Sequence, residues 1–327
     1  MRKVLLATTA LVALGGVSAA SADISVSAAH EMQYKSWSDS AAASTTANDS
    51  SITNKQTYKI SASSVLDNGM SIAGYISTDG SDNFGDDGFS IAGDFGTIGF
   101  AGSEAGDAFA TAADVTPDEA TSATLITAAT GFVMPADESV EASDISYKSP
   151  NINGFQFAMG ISDTGGYDDD SSMGAQYSMT SGDATLTIKY ASSEAGVATS
   201  GDNPVEATSL GLVVAYGDTT VTMAQNTKAG GTVGSASSVS GGIYDITGDS
   251  IGISHKMSDV LTLSAYTGST EDSKDSGHEI TDTGLGLAYT ITPGLTLSIT
   301  HNDWDIKDTA ETNENGEHTT IALDLSF

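Results

Sequence analysis

Between residues 103 and 142 the chain carries eight acids and no Lys or Arg. They are Glu104, Asp107, Asp114, Asp118, Glu119, Asp137, Glu138 and Glu141. Carboxylates are fixed negative charges at neutral pH. Gathered beside a narrow aqueous path, they attract cations and repel anions. Lys35, Lys59, Lys148, Lys189 and Lys256 each stand in a polar position beside an apolar neighbour. Together these groups can sort solutes by charge, and they make no bonds. The five histidines, His30, His255, His278, His301 and His318, show no H-E-x-x-H spacing. One G-x-S-x-G pattern occurs, over Gly248–Gly252, but it lies in a period-2 run and not at a strand-to-helix elbow, so no enzyme activity is expected. With no cysteine, neither disulfides nor thiolate metal sites are available.

The elements that must position these charges are short period-2 runs. Ile24, Val26, Ala28, Met32 and Tyr34 share one face of the first, and Ser25, Ser27, Glu31, Gln33 and Lys35 the other. About sixteen such runs follow one another to the C-terminus. Expected runs include 24–37, 56–66, 70–78, 143–149, 183–191, 280–291, 294–302 and 318–327. Tight turns such as Asp67-Asn68-Gly69 and Pro293-Gly294 alternate strictly with longer loops. Short turns on one side and long loops on the other are the layout of an outer-membrane barrel. The expected fold is therefore a 16-stranded antiparallel transmembrane β-barrel. Closure removes the open sheet edges that lipid forbids. The mean hydropathy of −0.07 fits, because half of each strand faces water.

Residues 103–142 interrupt this rhythm. A long loop inside a compact β-protein is unusual and tends to be functional. Thr116 can cap a helix, with Pro117 in its first position and Glu119 closing a capping box. Two readings stand: an inward-folded segment that sets the channel's width and charge, or an acidic external lid.

The first residues, MRKVLLATTALVALGGVSAASA, combine Arg2 and Lys3, a short apolar core and a small-residue cleavage site. This reads as a cleaved signal peptide over residues 1–22, leaving a barrel over 23–327. Removing those two bases leaves nine lysines, no arginine and 43 acids, a formal net charge of −34. So acidic a chain is a poor nucleic-acid binder.

Residues 145–155, ISYKSPNINGF, resemble the strand–turn–strand motif that follows the third loop of Gram-negative porins. The leader, the sixteen-strand rhythm and the terminal aromatic Phe327, on a strand with Ile321, Leu323 and Leu325, resemble that family as well. The N-terminal region looks most like its alphaproteobacterial, Rhodobacter-type branch. The resemblance implies a homotrimer in the outer membrane, in contact with lipid and lipopolysaccharide. Small hydrophilic solutes and cations would diffuse through each barrel. It also implies an inward third loop whose acids face a basic cluster on the opposite wall. The mature chain departs from that pattern, because only lysines are present to replace the arginines.

The expected acidic side of the constriction is Asp107, Asp114, Asp118 and Glu119. For Asp118 and Glu119 a role at the helix start competes. The expected basic side is Lys35, Lys59 and Lys189, placed toward the external ends, with Lys35 and Lys59 on adjacent strands. Neutralising nearby acids such as Glu31 is the competing role. Glu31 and Asp94 are expected as further lumenal acids. The excess of acids predicts cation preference. Tyr34, Tyr58, Tyr75, Tyr147, Tyr190, Tyr216, Tyr266 and Tyr289 are expected in outward girdles. No cofactor is expected. Asp168, Asp169 and Asp170 form an oxygen-rich loop cluster that Ca²⁺ could occupy, and solvated loop charge is the alternative. Two other functions remain open: a non-conducting structural or adhesive barrel, and a substrate-specific channel using Trp37 and Trp304.

Overall fold

Alternating runs bounded by Gly, Asn and Asp fold here into antiparallel strands, each too short in apolar surface to stand alone. The computed structural model describes residues 23–39, 48–79, 86–100, 109, 144–163, 170–195, 204–230, 244–272, 278–307 and 314–327. The strands are β1 (Asp23–Asp39), β2 (Asn48–Val65), β3 (Ser71–Asp79), β4 (Asp86–Gly93), β5 (Gly96–Phe100), β6 (Ile145–Lys148), β7 (Phe155–Ser162) and β8 (Asp170–Ser181). They continue as β9 (Ala184–Ala195), β10 (Val205–Tyr216), β11 (Thr219–Gly230), β12 (Tyr244–Ser258), β13 (Leu261–Asp272), β14 (His278–Thr292), β15 (Leu295–Lys307) and β16 (Glu314–Ser326). Each pairs with its sequence neighbours, and β1 pairs with β16, so the sixteen strands form one closed ring. Phe327 completes the seam: its N–H donates to the Ala28 carbonyl at 2.9 Å. The expected leader, residues 1–22, lies outside the described residues.

Short turns gather at one end of the ring, which is the periplasmic end in outer-membrane barrels. Between β6 and β7, Asn153 and Gly154 both take positive φ, 55° and 92°. A side chain on Gly154 would also strike the Ser178 carbonyl. Asn151 Oδ1 accepts from the Gly154 N–H at 2.7 Å, and Ser149 Oγ from the Phe157 N–H at 3.0 Å. This is the local chemistry of the ISYKSPNINGF stretch. Among the described residues no helix is long and apolar enough to cross a membrane. The capping box expected at Thr116–Glu119 lies outside them.

The outer face carries an apolar belt. Ile24, Val26, Met32, Ile188, Leu210, Leu285, Ile299 and Ile321 are exposed there. Its upper edge is sharp. On β15, Leu295, Leu297 and Ile299 give way to His301, Asp303 and Asp305, and on β16 Ile321 gives way to Thr319 and Glu317. On β12, Ile251 is followed upward by Asp249 and Thr247. Above that edge the strands run on. β2 begins at Asn48, where the alternation had placed a polar loop to Lys55. Without lipid on one side, nothing forces alternate residues to be apolar.

Two tyrosines depart from the expected girdle. Tyr75 pairs with Ser61 and Tyr266 with Gly252 and Gly284, all on the inner face. In each the neighbouring residues, Gly74 and Ile76 or Ala265 and Thr267, take the outer face. Tyr34, Tyr58, Tyr190 and Tyr289 are outward and exposed.

Candidate functional site

The lumen is lined by the alternate residues that the outer belt leaves over. Among the described residues Lys35, Lys55, Lys59, Lys148, Lys189, Lys228 and Lys256 face inward, and Lys307 stands on the outer side above the belt. This follows from cost: a lysine on the lipid face at mid-depth loses about 2–4 kcal/mol.

Height separates the lysines. Lys35 lies opposite Ser51, and Lys59 opposite Ser27, so the two are eight residues apart along the β1–β2 ladder. They occupy adjacent strands but not one level. Lys59 belongs to the periplasmic half, six residues from the end of β2 at Val65. Its ammonium sits 3.9 Å from the centroid of the Tyr75 ring, a cation–π contact. Lys55, which sequence alternation left in a loop, falls between them opposite Glu31. Glu31 is lumenal and half-buried, with Asp324 as its neighbour on β16. Lys189 is at mid-strand on β9, opposite Gln176 and Gly211. Asp94 is not a wall residue. It sits with Phe95 in the two-residue turn between β4 and β5, where Gly96 at φ 110° reverses the chain.

Asp107, Asp114, Asp118 and Glu119 lie outside the described residues, as do Asp168 and Asp169; Asp170 opens β8. One residue of the acidic stretch is described, and it reaches the lumen. Phe109 is wholly buried and packs with Ala158 and Ala191. A Cβ built on Gly174 would lie 2.7 Å from Phe109 Cδ2, so the ring occupies the space a side chain would take there. The register aligns Lys148 with Ala158, Ala158 with Gly174, and Gly174 with Ala191. These four form one row across β6–β9 on the inner face. The Lys148 ammonium stands 5.3 Å from the ring centroid. Full burial of such a ring stabilises by roughly 1.5–3 kcal/mol. In the closed ring β8 is diametrically opposite β16, so Phe109 rests across the channel from the wall that carries Lys35. Lys148 and Lys189 lie on Phe109's own side.

Between β12 and β16 the inner wall is a packed surface, against the expectation that inward residues are wetted. Ile246, Ile280, Ile306, Trp304 and His318 face inward and are buried. The Tyr266 ring covers Gly284 and the Trp304 ring covers Gly316. Tyr266 donates to Asp282 and accepts from Asn302 Nδ2 at 2.8 Å. Of the two tryptophans only Trp37, half-buried beside His318, retains accessible surface on this wall.

A family model described as Gram-negative porin matches residues 7–309. No curated protein matches the chain. Among solved structures it is similar to a loop-deletion form of OmpT, an outer membrane protein of Vibrio cholerae, with 12% identity and a TM-score of 0.68 over 94% of this chain and 99% of that one. It is similar to an anion-selective porin from Comamonas acidovorans at 13% identity, TM-score 0.61, covering 94% and 100%. A trimer form of Vibrio cholerae OmpT shares 11% identity at TM-score 0.64, covering 94% and 99%.

Proposed function

The chain belongs to the Gram-negative porin family, and on that premise we propose that it forms a cation-preferring outer-membrane channel for passive diffusion of ions and small hydrophilic solutes. One observation carries the channel part of this reading: a closed sixteen-strand ring with an apolar belt outside and lysines, hydroxyls and amides inside. Nothing is turned over. The aqueous path filters by size, and its fixed charges filter by sign.

Charge and not fold sets that sign, since a barrel of similar fold is an anion-selective porin. Here Asp107, Asp114, Asp118 and Glu119 form the acidic side, on an arm that the seat of Phe109 on β7–β9 supports as inward-folded. Lys35 and Lys55 face it, and Lys59 adds charge nearer the periplasm. With 43 acids in the chain against nine mature lysines, the lumen potential is negative. Assembly as a homotrimer is supported by the trimer form of OmpT. The motif at 145–155 and the N-terminal region support placement in the Rhodobacter-type branch. A substrate-specific aromatic track has little support, because Tyr266 and Trp304 are buried.

Purified protein in planar bilayers tests the reading. Stepwise conductance with a reversal potential favouring K⁺ over Cl⁻ is expected in a KCl gradient. Deleting residues 107–130 should enlarge the conductance. Anion preference would remove the selectivity claim, and absence of any conductance would leave a structural barrel.

A further inference from the structure

We propose that Phe109 is the positioning residue of the acidic arm, held by a socket of absent side chains centred on Gly174. This rests on the reading of residues 103–142 as the constriction. The socket is one ring wide. Ala158, Gly174 and Ala191 are cross-strand neighbours on β7, β8 and β9, and all three face the lumen. One step toward the periplasm the same strands present Gln156 and Gln176, joined side chain to side chain at 2.9 Å. One step outward they present Gly160 and the buried Ser172. A benzyl group in a water-filled lumen gains by leaving water, and this row is the apolar surface on which it does so.

Gly174 is glycine for reasons of space. It is absent from the glycines with positive φ, so its backbone would accept any residue. Its missing Cβ is what admits the ring: that atom would stand 2.9 Å from Phe109 Cβ and 3.1 Å from Cγ. Lys148 ends the row on β6 and places its ammonium 5.3 Å from the ring centroid. A cation over an aromatic face adds attraction and direction. Phe109 is thus fixed on one side by close packing and on another by charge.

The consequence is electrostatic. Two residues of chain span at most about 7 Å, so seating Phe109 limits how far from the wall Asp107 can stand. Asp114 and Asp118, five and nine residues further on, are restrained less. Unseating the ring would let Asp107 wander, blurring the pore's width and its charge together.

The test uses the full-length folded protein in planar bilayers. Phe109→Ala should raise open-channel current noise at least twofold and shift the K⁺/Cl⁻ permeability ratio at least 1.5-fold. Gly174→Val should do the same by filling the socket, and the double variant should be no worse than either single change. Phe109→Leu, which still fills the row, should stay near the parent. Because the chain has no cysteine, a Phe109→Cys, Gly174→Cys pair reports the contact even if other variants misfold. The two Cβ positions need a shift of under about 1 Å to reach disulfide geometry. The oxidised pair should be quiet, and reduction should bring the noise of Phe109→Ala. Failure of this pair to cross-link overturns the proposal. So do quiet Phe109→Ala and Gly174→Val channels when deletion of 107–130 enlarges the conductance, for then the arm constricts without this seat. If the deletion also changes nothing, the reading of the arm as the constriction falls instead.

Discussion

Lys35 and Lys59 face one lumen from neighbouring strands, yet the ladder sets them eight residues apart. At about 3.3 Å per residue that is roughly 26 Å along the strands. The Debye length at physiological ionic strength is about 8 Å. Each ammonium therefore acts on passing ions alone. Lys35→Gln and Lys59→Gln should each raise the K⁺/Cl⁻ permeability ratio, and the double variant should show the sum of the two logarithmic shifts. Reversal potentials in a KCl gradient measure this. A double variant no more selective than one single change would mean the two lysines share a site.

Tyr75 should govern how Lys59 presents its charge. The ring lies 3.9 Å beneath the ammonium, a contact of about 0.5–1 kcal/mol at an exposed site. Tyr75→Leu should leave the barrel folded and alter current rectification in the direction of Lys59→Gln. Identical current–voltage curves for Tyr75→Leu and the parent would show that the ring does not orient the lysine.

Most of the barrel was legible because lipid writes a strong signal. Wherever a strand crosses the belt, one face must be apolar, as in Leu295, Leu297 and Ile299 of β15. The tight turns were legible for a different reason, since Gly and Asn there meet a need for positive φ, as at Asn153 and Gly154. What escaped was the strand above the belt. Residues 48–51, NDSS, carry no apolar side chain on either face and so no pattern to read, though they pair in register with β1 as far as Ser38. Height escaped as well: Lys59 and Lys35 look alike in alternation, and only the register separates them. Tyr75 and Tyr266 mislead because an aromatic ring suits an interface and a lumenal wall equally. The seat of Phe109 had no signal of its own, since it joins residues 65 positions apart through the bareness of Gly174.

The edge of the belt predicts where charge is tolerated. Leu287 and Thr281 are both outward on β14, on either side of that edge. Leu287→Lys should cost about 2–4 kcal/mol, and Thr281→Lys about 0–1 kcal/mol. Denaturant titration of folding into lipid vesicles reads the difference. Equal costs would place the bilayer elsewhere on the barrel.

Gly316 should resist even a methyl group. Its backbone is absent from the positive-φ set, but the Trp304 ring lies where a Cβ would go. Gly316→Ala should destabilise by about 1–3 kcal/mol through overpacking and shift tryptophan emission, with Trp37 as the other contributor. An unchanged spectrum and midpoint would show that the ring is free to move aside.

Asp303 and Glu317 are direct cross-strand neighbours on the outer face above the belt. Like charges so placed oppose pairing by roughly 0.2–1 kcal/mol. Asp303→Asn should therefore raise stability at low ionic strength, and the gain should vanish in high salt. Destabilisation in both conditions would mean that His301, whose Nε2 lies 3.6 Å from Asp303 Oδ2, holds the carboxylate.

β15 continues for eight residues beyond Ile299, the last apolar side chain of its outer face. With strands tilted about 40°, that is roughly 20 Å of wall standing clear of the hydrocarbon. The mouth is thus a chimney raised above the bilayer plane, studded outside with Asp303, Asp305 and Glu317. An arriving ion meets the protein's field before it meets that of the headgroups. The crowd of counter-ions waiting at the entrance is accordingly the chain's own, and changing the surrounding lipid should alter it little.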